Sequence, residues 1–103
     1  MLCFRVSLNG RYLTTAGVPG FGVVSTILTW VRRPHDESNA NPELTLNVGG
    51  SAGGDFREFL TWYDAAVRAG DVLTVELRED VVADAPKERR RDEDAGLDEV
   101  SLL

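Results

Sequence analysis

VVSTILTWVRR, residues 23 to 33, decides the fold, because two periods fit it. Val24, Ile27, Leu28 and Val31 fall at i, i+3, i+4 and i+7, the stripe of an amphipathic helix. Val24, Thr26, Leu28 and Trp30 alternate just as well, as one face of a strand. Composition favours the strand. Valine, threonine, isoleucine and tryptophan lose rotamer freedom in a helix and pack well on a pleated surface. The segment is therefore read as a long strand.

The neighbouring segments agree with that reading. FRVSLNGRYLTT places Phe4, Val6 and Leu8 on one face and Arg5 and Ser7 on the other. Asn9-Gly10 then supplies two residues that tolerate positive φ, which predicts a two-residue β-hairpin. AGVPGFG, residues 16 to 22, and PHDESNANP, residues 34 to 42, read as loops. ELTLNV, residues 43 to 48, and DVLTVELRE, residues 71 to 79, read as strands. Between them DFREFLTWYDAAVRAG predicts a helix over 55 to 69. Asp55 and Glu58 stand at capping-box spacing, Phe56, Phe59, Leu60, Tyr63 and Val67 form a stripe, and Gly70 stands where it would end. FLTWY within it also suits a strand.

The expected fold is mainly β: a small antiparallel sandwich or barrel-like domain over residues 1 to 83, with at most one or two short helices. From Asp84 the chain carries seven acids and four bases with no aromatic residue. Residues 84 to 103 therefore read as a disordered charged tail.

The net charge of −6 argues against a nucleic-acid partner, whose affinity comes largely from Lys and Arg neutralising phosphates. It favours a basic protein partner. Cys3 is the only cysteine, which fits a reducing cytoplasm. Arg5 interrupts the opening apolar residues, unlike a signal peptide, and no segment is long and apolar enough to span a bilayer.

NVGGSAGGD, residues 47 to 55, raises a small-molecule or nucleotide reading for the Gly49–Gly54 loop. The stretch lacks the Gly-Lys-Ser/Thr of a phosphate loop and the G-x-G-x-x-G of a dinucleotide site. Asp55 also stands where an anion would approach, so the loop is read as a connection. His35 is the sole histidine, and His35-Asp36-Glu37 are contiguous, which suits neither a metal site nor a catalytic pair. No metal, cofactor or enzymatic set is expected. Lys87-Glu88-Arg89-Arg90-Arg91 is cancelled by Asp92-Glu93-Asp94.

That leaves the aromatic residues. On a regular strand Trp62 and Tyr63 cannot both point inward, so one of them is a candidate anchor for a partner, with Trp30 a further candidate; the alternative reading places both at least partly in the core. The expected function is a non-enzymatic protein-interaction module, of inhibitor, immunity or adaptor type. Pairing of two copies along an exposed strand edge is open to such a fold.

The segments GVVS with WVRR (22 to 33), NVGG (47 to 50) and AGDVLTVE (69 to 76) resemble small bacterial proteins of uncharacterised function. Their order, hairpin first and DVLTVELRE last, also resembles ubiquitin-like β-grasp proteins. That resemblance implies an α+β fold with a helix at 23 to 33, and a carrier or mimic function. Ubiquitin-type carriers end in Gly-Gly, whereas this sequence ends Ser101-Leu102-Leu103.

Overall fold

A computed structural model of the protein describes residues 1–34, 43–79 and 81–91. The described residues hold seven strands and no helix. These are β1 (Cys3–Leu8), β2 (Arg11–Ala16), β3 (Gly22–Val31), β4 (Glu43–Ala52), β5 (Glu58–Ala66), β6 (Leu73–Arg78) and β7 (Glu88–Arg91). Two antiparallel sheets form, in the orders β2-β1-β6 and β3-β4-β5-β7. The mainly β expectation holds. Residues 23 to 31 are strand, so the helix required by the α+β alternative is absent.

Asn9 and Gly10 take φ of 53° and 77°, and Leu8 pairs with Arg11 across them. This is the two-residue hairpin that Asn-Gly predicts. The sheets then meet through alternating side chains. Val6 and Ala16 on one sheet face Leu46, Val48, Leu60 and Trp62 on the other, and all six are buried.

The helix expected over 55 to 69 is replaced by β5. Register supplies the reason. Val48 pairs with Tyr63 but Gly49 pairs with Thr61, so Trp62 is an extra residue in a β-bulge. Leu60 and Trp62 are buried before the slip, and Tyr63 packs against the same core after it. A bulge reverses the alternation, so neighbouring aromatic residues can both face inward. The same phase change blurred the period-2 signal and let a helical stripe fit. Asp55 keeps its capping chemistry without a helix: its Oδ1 accepts the Arg57 N–H at 3.1 Å in the β4–β5 turn.

The glycine stretch is also redistributed. Gly49 and Gly50 lie inside β4, paired on both sides, and only Gly53 and Gly54 turn the chain. At Gly50 an added Cβ would sit 1.9 Å from the Val23 carbonyl oxygen, so the β3 backbone occupies that space. The glycine lets two strands approach, and its amide belongs to the sheet rather than to a ligand.

One long side of the sandwich is closed by residue 84. The Asp84 N–H donates to the Thr15 carbonyl at 2.8 Å, and the Thr15 N–H donates back to Asp84 Oδ2 at 2.9 Å. The Tyr12 hydroxyl gives its proton to Oδ2 at 2.5 Å, so the 2.8 Å contact between Tyr12 and Thr15 must use the Thr15 proton. Trp62 Nε1 donates to the Asp84 carbonyl at 2.8 Å. Asp84 thereby ties β2 of one sheet to β5 of the other. The disordered tail expected from residue 84 is displaced: residues 84 to 91 join the fold, and β7 pairs with β5 from Thr61 to Glu58. Residues 92 to 103 lie outside the described residues.

Two stability predictions follow from these contacts. Gly50→Ala should destabilise the domain by about 1–3 kcal/mol or more, because backbone rather than a flexible side chain must yield; urea unfolding measures it. The Tyr12 proton holds the Asp84 carboxyl below the usual carboxylate range, while burial and then the Asp84 contact raise the Tyr12 phenol. Asp84 therefore adds stability above the unfolded carboxylate range, lost as pH falls through its lowered folded value. Tyr12 adds stability below the unfolded phenol range, lost as pH rises through its raised value. Asp84→Asn should cost about 1 kcal/mol at neutral pH and flatten the acid limb of Tm against pH. An unchanged acid limb would remove Asp84 from this role.

Candidate functional site: the open side of the sandwich

The side opposite Asp84 is built differently. β2 packs over β5, which leaves β6 and β3 as the outer strands of the two sheets on the other side. Cross-strand pairing fixes their inward faces. Leu73, Val75 and Leu77 stand opposite Leu8, Val6 and Phe4, and Thr26, Leu28 and Trp30 stand opposite Val48, Leu46 and Leu44. Val6, Leu46 and Val48 among those partners are core residues and Phe4 packs against them, yet Leu28 is 59% exposed, Trp30 63% and Leu77 68%. The alternation of both strands has been satisfied, but nothing among the described residues covers the result.

Between the strands runs a groove of about 510 Å³. Leu8, Leu28, Trp30, Leu44, Val67 and Leu73 line it, with Arg68 and Asp71 at its rim. The rim is fixed by the β5–β6 turn. Asp71 accepts from Asn9 Nδ2 at 2.9 Å and from the Arg68 N–H at 3.0 Å, and Asn9 Oδ1 accepts the Val72 N–H at 2.8 Å. The Asn9 contact first, and the Arg68 amide next, hold the Asp71 carboxyl below its ordinary value. The groove thus combines an apolar floor, one exposed indole and one fixed carboxylate beside a guanidinium. That set can bind an apolar side chain and orient a polar neighbour; it contains no nucleophile–base pair.

The three aromatic candidates separate. Trp62 is 5% exposed, with its N–H already spent on Asp84, so it is a core residue and not a surface anchor. Tyr63 is half-buried against the core, because the bulge turned it inward. Trp30 alone presents its ring. Alternation grouped Trp30 with Val24, Thr26 and Leu28 on one face; it could not reveal that this face turns inward or that no described element covers it. Leu28, Val75 and Leu77 were missed as site residues for the same reason.

The other candidates contribute less. In the Gly49–Gly54 stretch, Gly49 and Gly50 are paired within β4 and Gly53 and Gly54 lie in the β4–β5 turn. His35 lies outside the described residues. Among the described residues no cluster of His, Cys, Asp and Glu could hold a metal ion, and no helix is long and apolar enough to cross a membrane. The arginines of β7 are engaged: Arg89 pairs with Glu58, Arg91 with Asp55 at 2.8 Å, and Arg90 lies over the Phe59 ring.

The two tryptophans give a direct check. In dilute solution Trp62→Phe should leave red-shifted emission that acrylamide quenches readily, from Trp30. Trp30→Phe should leave blue-shifted, protected emission from Trp62. The reverse pattern would exchange their roles.

No protein-family model matches the chain, and no curated protein or solved structure matches it either, so the reading of the groove rests on its own geometry.

Proposed function

We propose that the chain is a non-enzymatic protein-interaction module, acting as an inhibitor, immunity-type protein or adaptor, and that its partner docks on the groove beneath Trp30. The observation carrying this reading is the indole itself: an inward-register tryptophan left 63% exposed over an apolar groove of about 510 Å³. Tryptophan in a hydrophobic setting is a frequent binding hot spot, because a large rigid surface is desolvated at little entropic cost. The net charge of −6 supports a basic partner, steered by the field and then fixed by apolar contact. The Asp71 carboxylate at the rim is a local acceptor for a cationic group on that partner. Trp62 and Tyr63 serve the core, and the anchor role passes to Trp30.

Affinity capture of the tagged protein from its native host identifies the partner, and titration with that purified partner tests the site. Trp30→Ala should weaken binding about tenfold or more while leaving the fold intact, since Trp30 contributes little to the core. Added salt should slow association more than it speeds dissociation. Unchanged affinity for Trp30→Ala would remove the groove as the docking point.

A further inference from the structure

The four outer strand edges are not alike. The edge at β7 carries Glu88, Arg89, Arg90 and Arg91. β2 is covered at Thr15 by the two backbone contacts of Asp84. β6 carries Glu76 and Arg78 on its outward face. Charged side chains and covering segments are the usual protections of a sheet edge. Among the described residues β3 has none of them. It runs ten residues, GVVSTILTWV, with no charge and no proline, and pairs with β4 on one side only among the described strands.

We propose that β3 pairs antiparallel with β3 of a second copy of this chain, joining the two four-stranded sheets into one eight-stranded sheet about a twofold axis. An isologous contact sets each patch against itself, so a charged strand would oppose its own charges, and β3 has none. The axis of such a pair stands perpendicular to the sheet. Both copies then keep their β2-β1-β6 sheets on the same face, and the inward residues of β3 and β6 from each copy converge over the seam. Leu28, Trp30, Val75 and Leu77, which one copy leaves open, belong to that convergence.

Register narrows further. Residues directly opposite must share a face, so a pair centred on β3 sets either Thr26 or Ile27 opposite its own symmetry mate. Thr26 Oγ1 is buried with no hydrogen-bond partner, and its neighbours on the same face of β3, Val24 and Leu28, are apolar. The Thr26 register offers that hydroxyl its counterpart, a cross-strand threonine pair. It also sets Leu28 beside Val24 of the second copy and Trp30 beside Gly22, where no side chain competes for the ring's space.

This pairing uses the β3 edge and stands or falls separately from the identity of any basic partner. Sedimentation equilibrium of the full chain tests it with Ile27→Lys and Ile27→Glu, which alter the outward face of β3 and leave the groove side intact. Wild-type protein should approach twice the chain mass at micromolar concentration. Each variant alone should sediment at the chain mass, because like charges meet near the axis in either register. An equimolar mixture of the two should recover the doubled mass, which also shows that neither variant has lost its fold. Quenching of Trp30 should fall over the same concentration range in the wild type. Wild-type protein that keeps the chain mass up to millimolar concentration would overturn the proposal. So would lysine and glutamate variants that still dimerise alone, or a folded mixture of the two that does not.

Discussion

The carboxylate and backbone of Asp84 bind the two sheets along one side, and the shape of the remaining fold depends on that fastening. A three-stranded sheet and a four-stranded sheet share a small core of six residues, with Trp62 the only large aromatic side chain in it. Burial of that size leaves little surplus over the entropy of ordering the chain. The hydrogen bonds from Tyr12, Thr15 and Trp62 to Asp84 therefore matter out of proportion to their number. They also anchor the Trp62 ring at the bulge in β5, past which Tyr63 turns toward the same core. One acidic residue thus couples a hairpin in the first sheet to a register slip in the second.

Closing one side leaves the other to be closed by something else. β6 and β3 carry the right alternation for a sandwich interior, yet their inward leucines and Trp30 face solvent. A filled sandwich of this size would place a further strand or another molecule there. The groove is therefore better understood as unfinished core than as a ligand cavity. Its lining is aliphatic and aromatic, its polar groups stand only at the rim, and its volume lies between two sheet edges rather than within one.

Most strands were legible from residue order alone, because alternation is a local property. Asn9-Gly10 fixed the first hairpin through φ preferences, and Val, Thr and Ile settled β3 against a competing helical stripe. The faces of β1, β3, β4 and β6 follow the sequence residue by residue. β5 did not, since inserting Trp62 shifts the phase halfway along the strand, and a shifted period 2 resembles a period near 3.6. Asp84 was read as the start of a tail because its partners, Tyr12, Thr15 and Trp62, lie far away in the chain. The site was half legible: the sequence names Trp30 and the residues that share its face, while the direction of that face and its exposure are decided by which elements pack against it.

Edge chemistry supplies the last step. Selection against aggregation acts on every exposed strand, and here three edges carry arginine, glutamate or a covering segment while the longest carries nothing. An unguarded ten-residue edge beside uncovered, inward-facing apolar residues would be a liability for a solitary molecule. It becomes coherent if the edge is occupied in the working state. Pairing through β3 covers the backbone edge and crowds Leu28 and Trp30 toward a shared seam, while Leu8, Val67 and the Asp71 rim stay at its mouth. A basic partner and a second copy then meet at Trp30: the copy takes the strand edge and flanks the ring, and the partner takes the entrance that Leu8, Val67 and the Asp71 rim frame.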